Sequence, residues 1–254
     1  MASTKIYTAT DFDILTAEND IYATAHDAAN ATSIHADGDF WWYYRISNST
    51  PGWDFDYEIA RGFLTFDTSN IKTRIITAAS LFLYHVSGGT ETDAGQSTLY
   101  VVEGVQTIPL ASADYGAHLT KTVSGGSVTE ATIAAAFNDW LEIPLNAEAW
   151  AWINKTGITK FCLRVAGDID NNVPTGKNRN AFASTDGNGL PADPDLFPYL
   201  SVTSIPASSP RRDTSTEDQI ALKCVRNVEM AAGGRFYVDE EGKAVYKSRY
   251  ARNA

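Results

Sequence analysis

The sequence predicts an all-β fold: an antiparallel, jelly-roll-like β-sandwich with one short helix, followed by a small C-terminal helix and a β-hairpin. Short runs of β-branched and aromatic residues alternate with clusters of Gly, Pro, Asn and Asp, a pattern typical of sandwiches and barrels. The net charge also changes along the chain, from −13 over residues 1–210 to +2 over residues 211–254. We therefore predict a sandwich domain in residues 1–206, a linker in 207–214 and an anchoring segment in 215–254.

Eight strands are predicted from the apolar runs, which are rich in the β-branched and aromatic residues that favour strands. Between them, segments such as SGGTETDAG and STDGNGLPADPD supply the positive φ angles and side-chain turns that hairpins need. The predicted strands are Trp41–Ser47, Ile59–Asp67, Ala78–Val86, Thr98–Glu103, Trp140–Pro144, Thr159–Ala166, Asn180–Ser184 and Tyr199–Thr203. Eight strands suit a jelly roll.

One helix is predicted to interrupt the strands, in the segment NAEAWAWINK. Asn146 is a suitable N-cap, and Gly157 is a suitable residue to end the helix. Ala147, Trp150 and Ile153 lie on neighbouring faces of such a helix.

The C-terminal segment differs from the rest in kind. After the stretch IPASSPRRDTSTED, apolar residues recur at Ile220, Cys224 and Val228, which predicts an amphipathic helix that ends at Gly233. The two arms of RFYVDEEGKAVYKSRYAR predict a β-hairpin. Roughly 40 residues of this kind bury little surface, so we expect the segment to dock on a partner. The predicted assembly contacts are Phe236, Tyr237, Tyr246 and Arg249.

The charge and the apolar content exclude several classes of partner. The net charge of −11 argues against nucleic acid, whose phosphates require a basic face. The first residues contain no apolar signal-peptide region, and no stretch approaches the roughly 18 apolar residues that span a bilayer. We therefore expect a protein made in soluble form, without a membrane partner. Cys162 and Cys224 are too few for a disulfide framework, so the fold is expected to depend on packing.

Nothing in the sequence points to catalysis. The histidines lie in no nucleophile motif such as G-x-S-x-G, and no phosphate-binding glycine pattern occurs. Pairs of carboxylates are uninformative, because 31 acidic residues make some pair inevitable by chance. The protein is predicted not to be an enzyme and to need no cofactor, apart from a candidate calcium site.

That candidate site is the segment GDIDNN, residues 167–172, which clusters the hard oxygen ligands that Ca²⁺ prefers. Asp168, Asp170 and Asn172 are the candidate ligands. Their spacing is not that of an EF-hand loop, and a solvated turn with side-chain to backbone hydrogen bonds accounts for the same residues. We favour the turn and keep calcium as the alternative.

An aromatic cluster in DGDFWWYYRISNSTPGWDFDYE is the strongest candidate for a contact surface. Strand alternation sends Trp41 to one face and both Trp42 and Tyr44 to the other, so one set is expected in the core and the other exposed or covered. An exposed platform that includes Trp53 could stack on a sugar ring or anchor a subunit interface. Core packing with interface burial is the favoured interpretation, and glycan binding is the alternative.

Several blocks of the sequence resemble a known family. The stretches ARGFLTFDTSNIKTRIITAASLFLYHVSG, FNDWLEIPLNAEAWAWINKTGITKFCLRVAGDIDN and DPDLFPYLSVT, spread over about residues 59 to 203, resemble the DNRLRE-type β-sandwich modules of surface and phage-associated proteins. This resemblance implies a jelly-roll-like sandwich and no known catalytic machinery. The segment GGRFYVDEEGKAVYKSRYAR resembles part of bacteriophage minor tail proteins, where a hairpin follows a helix.

The two resemblances and the charge break lead to one preferred hypothesis. We expect a non-enzymatic structural component of a bacteriophage virion, associated with the tail or the particle surface and assembled in the host cytoplasm. It is expected to act as a homo-oligomer together with other virion proteins. The competing hypothesis is a carbohydrate-binding module that recognises host-surface glycans. A third is a surface-array or adhesin module without a ligand.

Overall fold

The structure, a computed structural model, describes residues 2–7, 13–35, 41–47, 56–88, 96–183, 196–207, 235–238 and 244–247. The chain divides into two compact units, Met1–Ala207 and Ser208–Ala254. In the described residues the first unit consists of antiparallel strands connected by short helices and loops.

The strands of the first unit are β1 (Ala2–Tyr7), β2 (Asp13–Asn19), β3 (Ser33–His35), β4 (Trp41–Ser47), β5 (Asp56–Asp67), β6 (Ile75–Gly88), β7 (Leu99–Glu103), β8 (Gly126–Val128), β9 (Asp139–Leu145), β10 (Ile158–Val165), β11 (Lys177–Phe182) and β12 (Tyr199–Ile205). The helices are α1 (Tyr22–His26), α2 (Asp114–Ala117), α3 (Glu130–Ala135), α4 (Ala147–Trp152) and α5 (Ala166–Ile169). Within the described part of the chain, no helix is long and apolar enough to cross a bilayer.

Two long strands organise the sheet. β5 pairs with β2 along one edge and with β4 and then β10 along the other. β6 pairs with β9 along one edge and with β12 and then β11 along the other. Because β4 and β11 also pair with each other, the two groups of strands are joined. The outer members of the groups are β3 beside β2, β7 and β8 beyond β10, and β1 beside β12.

Alternation along the strands fills one apolar core. In β6, Leu81 and Leu83 are buried, whereas Phe82 and Tyr84 on the opposite face are only partly buried. Each fully buried side chain of this size contributes roughly 1.5–3 kcal/mol to stability. β5 and β10 differ, because residues 59–66 and 161–165 are buried on both faces. Their second face is covered by α1, by α2 with the residue after it, and by the loop that follows β7.

The all-β prediction is confirmed, and each of the eight predicted strands overlaps a strand of the structure. Four strands were not predicted: β1, β2, β3 and β8. β1 and β2 mix apolar with small and charged residues, and β3 and β8 have three residues each. The fold is sandwich-like, but the order of its strands does not identify a jelly roll, so that finer assignment stays a prediction.

The predicted helix is confirmed as α4, with Asn146 as its N-cap. The Oδ1 atom of Asn146 accepts hydrogen bonds from two main-chain N–H groups of the first turn, at 3.0 and 3.2 Å. Its Nδ2 atom donates to the carbonyl oxygen of Ser124 at 2.8 Å, which ties the cap to the chain before β8. The helix ends at Trp152, before Gly157, because Ile153 already has extended backbone angles.

In the second unit, β13 (Arg235–Val238) and β14 (Ala244–Lys247) form an antiparallel hairpin in which Phe236 is paired with Tyr246. The predicted hairpin is therefore confirmed. The predicted linker, 207–214, lies outside the described residues except for Ala207, and the predicted helix before the hairpin lies wholly outside them, so both stay predictions.

Candidate functional site

A buried group of charged residues lies between β5, β10 and α5. Asp168 accepts a bidentate pair of hydrogen bonds from Arg61, with Nη2 to Oδ1 at 2.7 Å and Nε to Oδ2 at 3.0 Å. The Nε atom of Arg164 donates to the same Oδ2 atom at 2.5 Å. The exposed fraction of all three side chains is 1% or less. Two guanidinium groups therefore share one carboxylate out of contact with water.

The second positive charge of this group is balanced by main-chain dipoles. The remaining guanidinium N–H groups donate to carbonyl oxygens, which are polarised to accept them. These oxygens belong to Tyr115 and His26 for Arg61, and to His118, Leu119, Lys121 and Asp168 for Arg164. The guanidinium carbon of Arg61 also lies 4.0 Å from the centroid of the Tyr115 ring, a cation–π contact. The group thus fastens α1, α2 and the loop after α2 onto the sheet.

Burial and charge set the pKa values in this region. Burial alone would raise the pKa of Asp168, but the charges and hydrogen bonds of Arg61 and Arg164 outweigh it and hold that pKa well below its ordinary value. Burial lowers the pKa of His118 to about 4. Burial also raises the pKa of the Cys162 thiol to about 12. Near pH 7 the Asp168 carboxyl is therefore ionised, and the His118 ring and the Cys162 thiol are neutral.

The neutral His118 ring has a structural task. Its Nδ1 atom lies 2.6 Å from the carbonyl oxygen of Asp114 and so carries the proton, while Nε2 accepts the main-chain N–H of Val105 at 2.9 Å. The ring packs edge-on against Phe63, with the ring centroids 4.9 Å apart. His118 thereby holds the segment after β7 against β5. With both nitrogens engaged and the ring buried, it offers no free base to a substrate.

The segment predicted as a turn or calcium site begins in α5 and continues as an exposed turn at residues 170–171. Asp168 belongs to α5, and both of its carboxylate oxygens are occupied by arginines. Asp170 and Asn172 are exposed. The three candidate ligands therefore do not converge, because the first one faces the interior and is already neutralised. In the part of the chain that the structure describes, no group of three or more His, Cys, Asp or Glu residues could hold a metal ion.

For the predicted aromatic and assembly residues, the structure describes at most the backbone and its strand pairing. Trp41, Trp42 and Tyr44 lie in β4, which is bordered by β5 and β11, and their side chains lie outside the described ones. Trp53 lies outside the described residues altogether. The same holds for Arg249, and the hairpin residues Phe236, Tyr237 and Tyr246 are known by their strand pairing alone. The roles predicted for these residues stay predictions.

A second aromatic group, which was not predicted as a site, lies on the solvent side of β1, β12, β6 and β9. We name it the outer aromatic face. Its residues are Tyr7, Tyr199, Phe82, Tyr84 and Trp140. The strand register aligns them, because Tyr7 pairs with Tyr199, Tyr199 with Phe82, and Tyr84 with Trp140.

The rings of the outer aromatic face contact one another in series. Tyr199 stacks on Phe82 with centroids 4.6 Å apart and an angle of 8° between the planes. Trp140 packs edge-on against Tyr199 at 4.9 Å and against Tyr84 at 5.5 Å. Tyr7 is tilted against Tyr199 at 5.9 Å and is 47% exposed. Tyr199 at the centre is buried by these neighbours, whereas Phe82, Tyr84 and Trp140 are partly exposed. The rings are therefore fixed by one another while the outer ones remain in contact with solvent.

Polar side chains lie beside these rings on the same four strands. Lys5, two residues before Tyr7, places Nζ 4.5 Å from the centroid of the Tyr199 ring. The next register row contains Ser201 and Ser80, and Glu142 is paired with Phe82. The face thus combines aromatic rings with hydroxyl, ammonium and carboxylate groups.

Only the part of this face that lies on β6 was predictable from the sequence. The alternation in β6 already placed Phe82 and Tyr84 opposite the buried leucines, where polar residues are usual in a half-buried strand. It did not show that Trp140 and Tyr199 would be their neighbours, because that depends on a strand register set over long sequence separations.

A small pocket of about 180 Å³ lies between β5 and the segment 106–110. Its polar wall is largely engaged within the protein. The single hydroxyl proton of Thr107 lies within reach of both the Pro109 carbonyl oxygen and the Asp114 carboxylate, and the Gln106 amide donates to the carbonyl oxygens of Leu64 and Phe161. The buried Oε1 atom of Gln106 is an exception, because it has no hydrogen-bond partner among the described residues.

No protein-family model matches the chain, and no curated protein matches it. The resemblances to DNRLRE-type modules and to phage minor tail proteins therefore stay predictions. Fold and site together define an antiparallel, β-sandwich-like protein with a buried structural ion group and an aromatic outer sheet face.

Proposed function

We propose that this protein is a non-enzymatic structural component of a bacteriophage particle, associated with the tail or the particle surface. In this proposal the acidic β-sandwich-like unit is displayed, and the C-terminal unit attaches it to neighbouring virion proteins. The observation that carries the proposal is the coincidence of two boundaries. The chain divides at Ala207, and the net charge changes from −13 in the first unit to +2 in the second.

The small size of the second unit supports a role in attachment. A unit as short as Ser208–Ala254 has a high ratio of surface to volume and can bury only a limited core of its own. Its described part is a two-stranded hairpin, and an isolated hairpin is marginally stable in water at best. Contact with another subunit supplies the missing burial, and virion proteins act in symmetric copies.

Four buried ionisable groups of the first unit support a role without catalysis. Arg61 and Arg164 both bond to Asp168, and His118 is buried with both nitrogens engaged. Groups that are needed to hold loops on the sheet are not free to transfer protons to a substrate.

The test is incorporation of truncated protein into particles. The full chain and a chain that ends at Ala207 are produced in the host during particle assembly, and purified particles are probed for each. We expect the truncated chain to remain folded and soluble in the host cytoplasm but to be missing from particles. A Phe236→Ala, Tyr246→Ala double variant of the full chain should be incorporated less. Equal incorporation of the full and truncated chains would overturn the proposed attachment.

A further inference from the structure

We propose that the outer aromatic face binds a neutral polysaccharide, with roughly two or three pyranose rings lying across β1, β12, β6 and β9. The observation is the row of contacting rings on four adjacent strands, bordered by Lys5, Ser80, Ser201 and Glu142. This role goes beyond the structural function proposed above and does not depend on the second unit.

The position of the rings is the first argument. An antiparallel strand with one buried face normally presents polar residues to water on the other. Here Phe82 and Tyr84 alternate with the buried Leu81 and Leu83, so β6 presents apolar residues to the core and aromatic residues to the solvent side. Trp140 continues the row on β9. Contacting aromatic rings where polar residues are usual point to a contact site.

The rigidity of the rings is the second argument. Phe82 and Tyr199 are stacked, Trp140 is packed edge-on between Tyr199 and Tyr84, and the Tyr84 hydroxyl donates to the carbonyl oxygen of Asn138 at 2.8 Å. Side chains already fixed in place lose little entropy when a ligand binds. Tyr7 lies on β1 and Trp140 on β9, the two outer strands of the face, whereas Lys5 and Phe82 cover the Tyr199 ring between them.

The polar groups and the charge point to a neutral sugar. Pyranose rings have apolar C–H faces that pack on aromatic rings and hydroxyl groups that bond to polar side chains at the edge. Ser80, Ser201, Lys5 and Glu142 place both donors and acceptors beside the rings. One Lys and one Glu cancel on the face itself, and the net charge of the whole chain, −11, repels polyanionic glycans.

The area of the face argues against a protein partner as its main occupant. Three spacings between strands and two same-face steps along a strand give roughly 200 Å². A stable protein interface buries about 800 Å² on each partner. The face is therefore too small for a subunit contact of its own, while it suffices for a short stretch of polysaccharide.

The experiment is native affinity electrophoresis of the full chain in gels that contain hydroxyethylcellulose, soluble dextrin or galactomannan, with dextran sulfate as the anionic comparison. We expect retardation by at least one of the three neutral polymers and none by dextran sulfate. Tyr7→Ala and Trp140→Ala should each weaken the retardation about tenfold. The matched control is Phe137→Ala, which removes an aromatic side chain that is 55% exposed and lies outside the row.

Three results would overturn the inference. The first is that none of the neutral polymers retards the folded wild-type chain. The second is that Tyr7→Ala, whose exposed position at the end of β1 leaves the core untouched, binds like the wild type. The third is that Trp140→Ala changes the sedimentation coefficient of the protein but leaves its retardation in the gels unchanged. That result would assign the face to a contact between copies.

Discussion

Arg61 and Asp168 lie 107 residues apart in the chain and form a fully buried, bidentate ion pair. Arg61 projects from β5 and Asp168 from α5, which directly follows β10. β5 and β10 are paired neighbours in the sheet. The ion pair therefore fixes α5, the segment after β10, over β5. The pair therefore acts at the point where the loops that cover β5 meet.

Asp168→Asn is expected to lower the free energy of unfolding by about 3–5 kcal/mol. The substitution keeps the shape of the side chain but leaves two buried guanidinium groups without a counter-charge. Urea unfolding of the full chain at pH 7 measures the change.

The matched control for this prediction is Asp170→Asn, two residues further along the chain. Asp170 is exposed, so this substitution should change the free energy of unfolding by no more than about 0.5 kcal/mol. If both variants are equally stable, the buried ion group does not have the structural role described above.

The strands were predictable from local sequence because their signal is local. Alternation and β-branched content identified the long strands β5 and β6 within three residues of their bounds. β3 and β8 have three residues each, which is too short for alternation to be recognised. The helix α4 was predictable for the same local reason, because Asn146 caps it with its own side chain.

The two residue groups that distinguish this protein were not predictable, because each depends on contacts between distant parts of the chain. Arg61 is a charged residue in a largely apolar strand, and no local pattern indicates that its partner is Asp168, 107 residues away. Asp168 itself was interpreted as part of a turn or calcium site, since local sequence shows its carboxylate but not its burial. The outer aromatic face depends in the same way on the register between β12 and β6.

The stability of the first unit is expected to fall as the pH decreases from 6.5 to about 4. The ordinary pKa of histidine is 6.5, and burial lowers the pKa of His118 to about 4. In this interval the unfolded chain takes up a proton at His118 and the folded chain does not, so protonation favours unfolding by up to about 3 kcal/mol. Below about pH 4 the lowered pKa of Asp168 adds a further loss. Urea midpoints measured between pH 8 and pH 4 test this dependence.

His118→Asn and His35→Asn separate this contribution from that of other titrating groups. His118→Asn should be less stable at pH 7 and should show a flatter dependence between pH 6.5 and 4. His35 is exposed, so His35→Asn should keep the slope of the wild type. An unchanged slope in His118→Asn would show that other groups cause the acid sensitivity.

The Cys162 thiol is expected to resist alkylation in the folded protein. It is fully buried, and burial raises its pKa to about 12, so the reactive thiolate is scarce near pH 8. The measurement is the rate of modification by iodoacetamide in a Cys224→Ser variant, which leaves Cys162 as the remaining thiol. Modification should be fast in concentrated urea and slow without it. A native rate close to that of a free thiol in solution would contradict the burial of this residue.

Gly125→Ala is expected to destabilise the contact between α4 and the chain that leads into β8. A Cβ atom at Gly125 would lie 2.3 Å from the Trp152 ring and 2.7 Å from the Cβ atom of Ala149, and overpacking of this kind typically costs about 1–3 kcal/mol. Combining Gly125→Ala with Trp152→Leu should recover part of the loss, because the smaller side chain makes room for the added methyl group. Ser127→Ala, at an exposed position in β8, serves as the neutral control. Urea unfolding of the wild type, Gly125→Ala, Trp152→Leu and the double variant measures the coupling, and a Gly125→Ala protein as stable as the Ser127→Ala control would show that the helix can shift without loss.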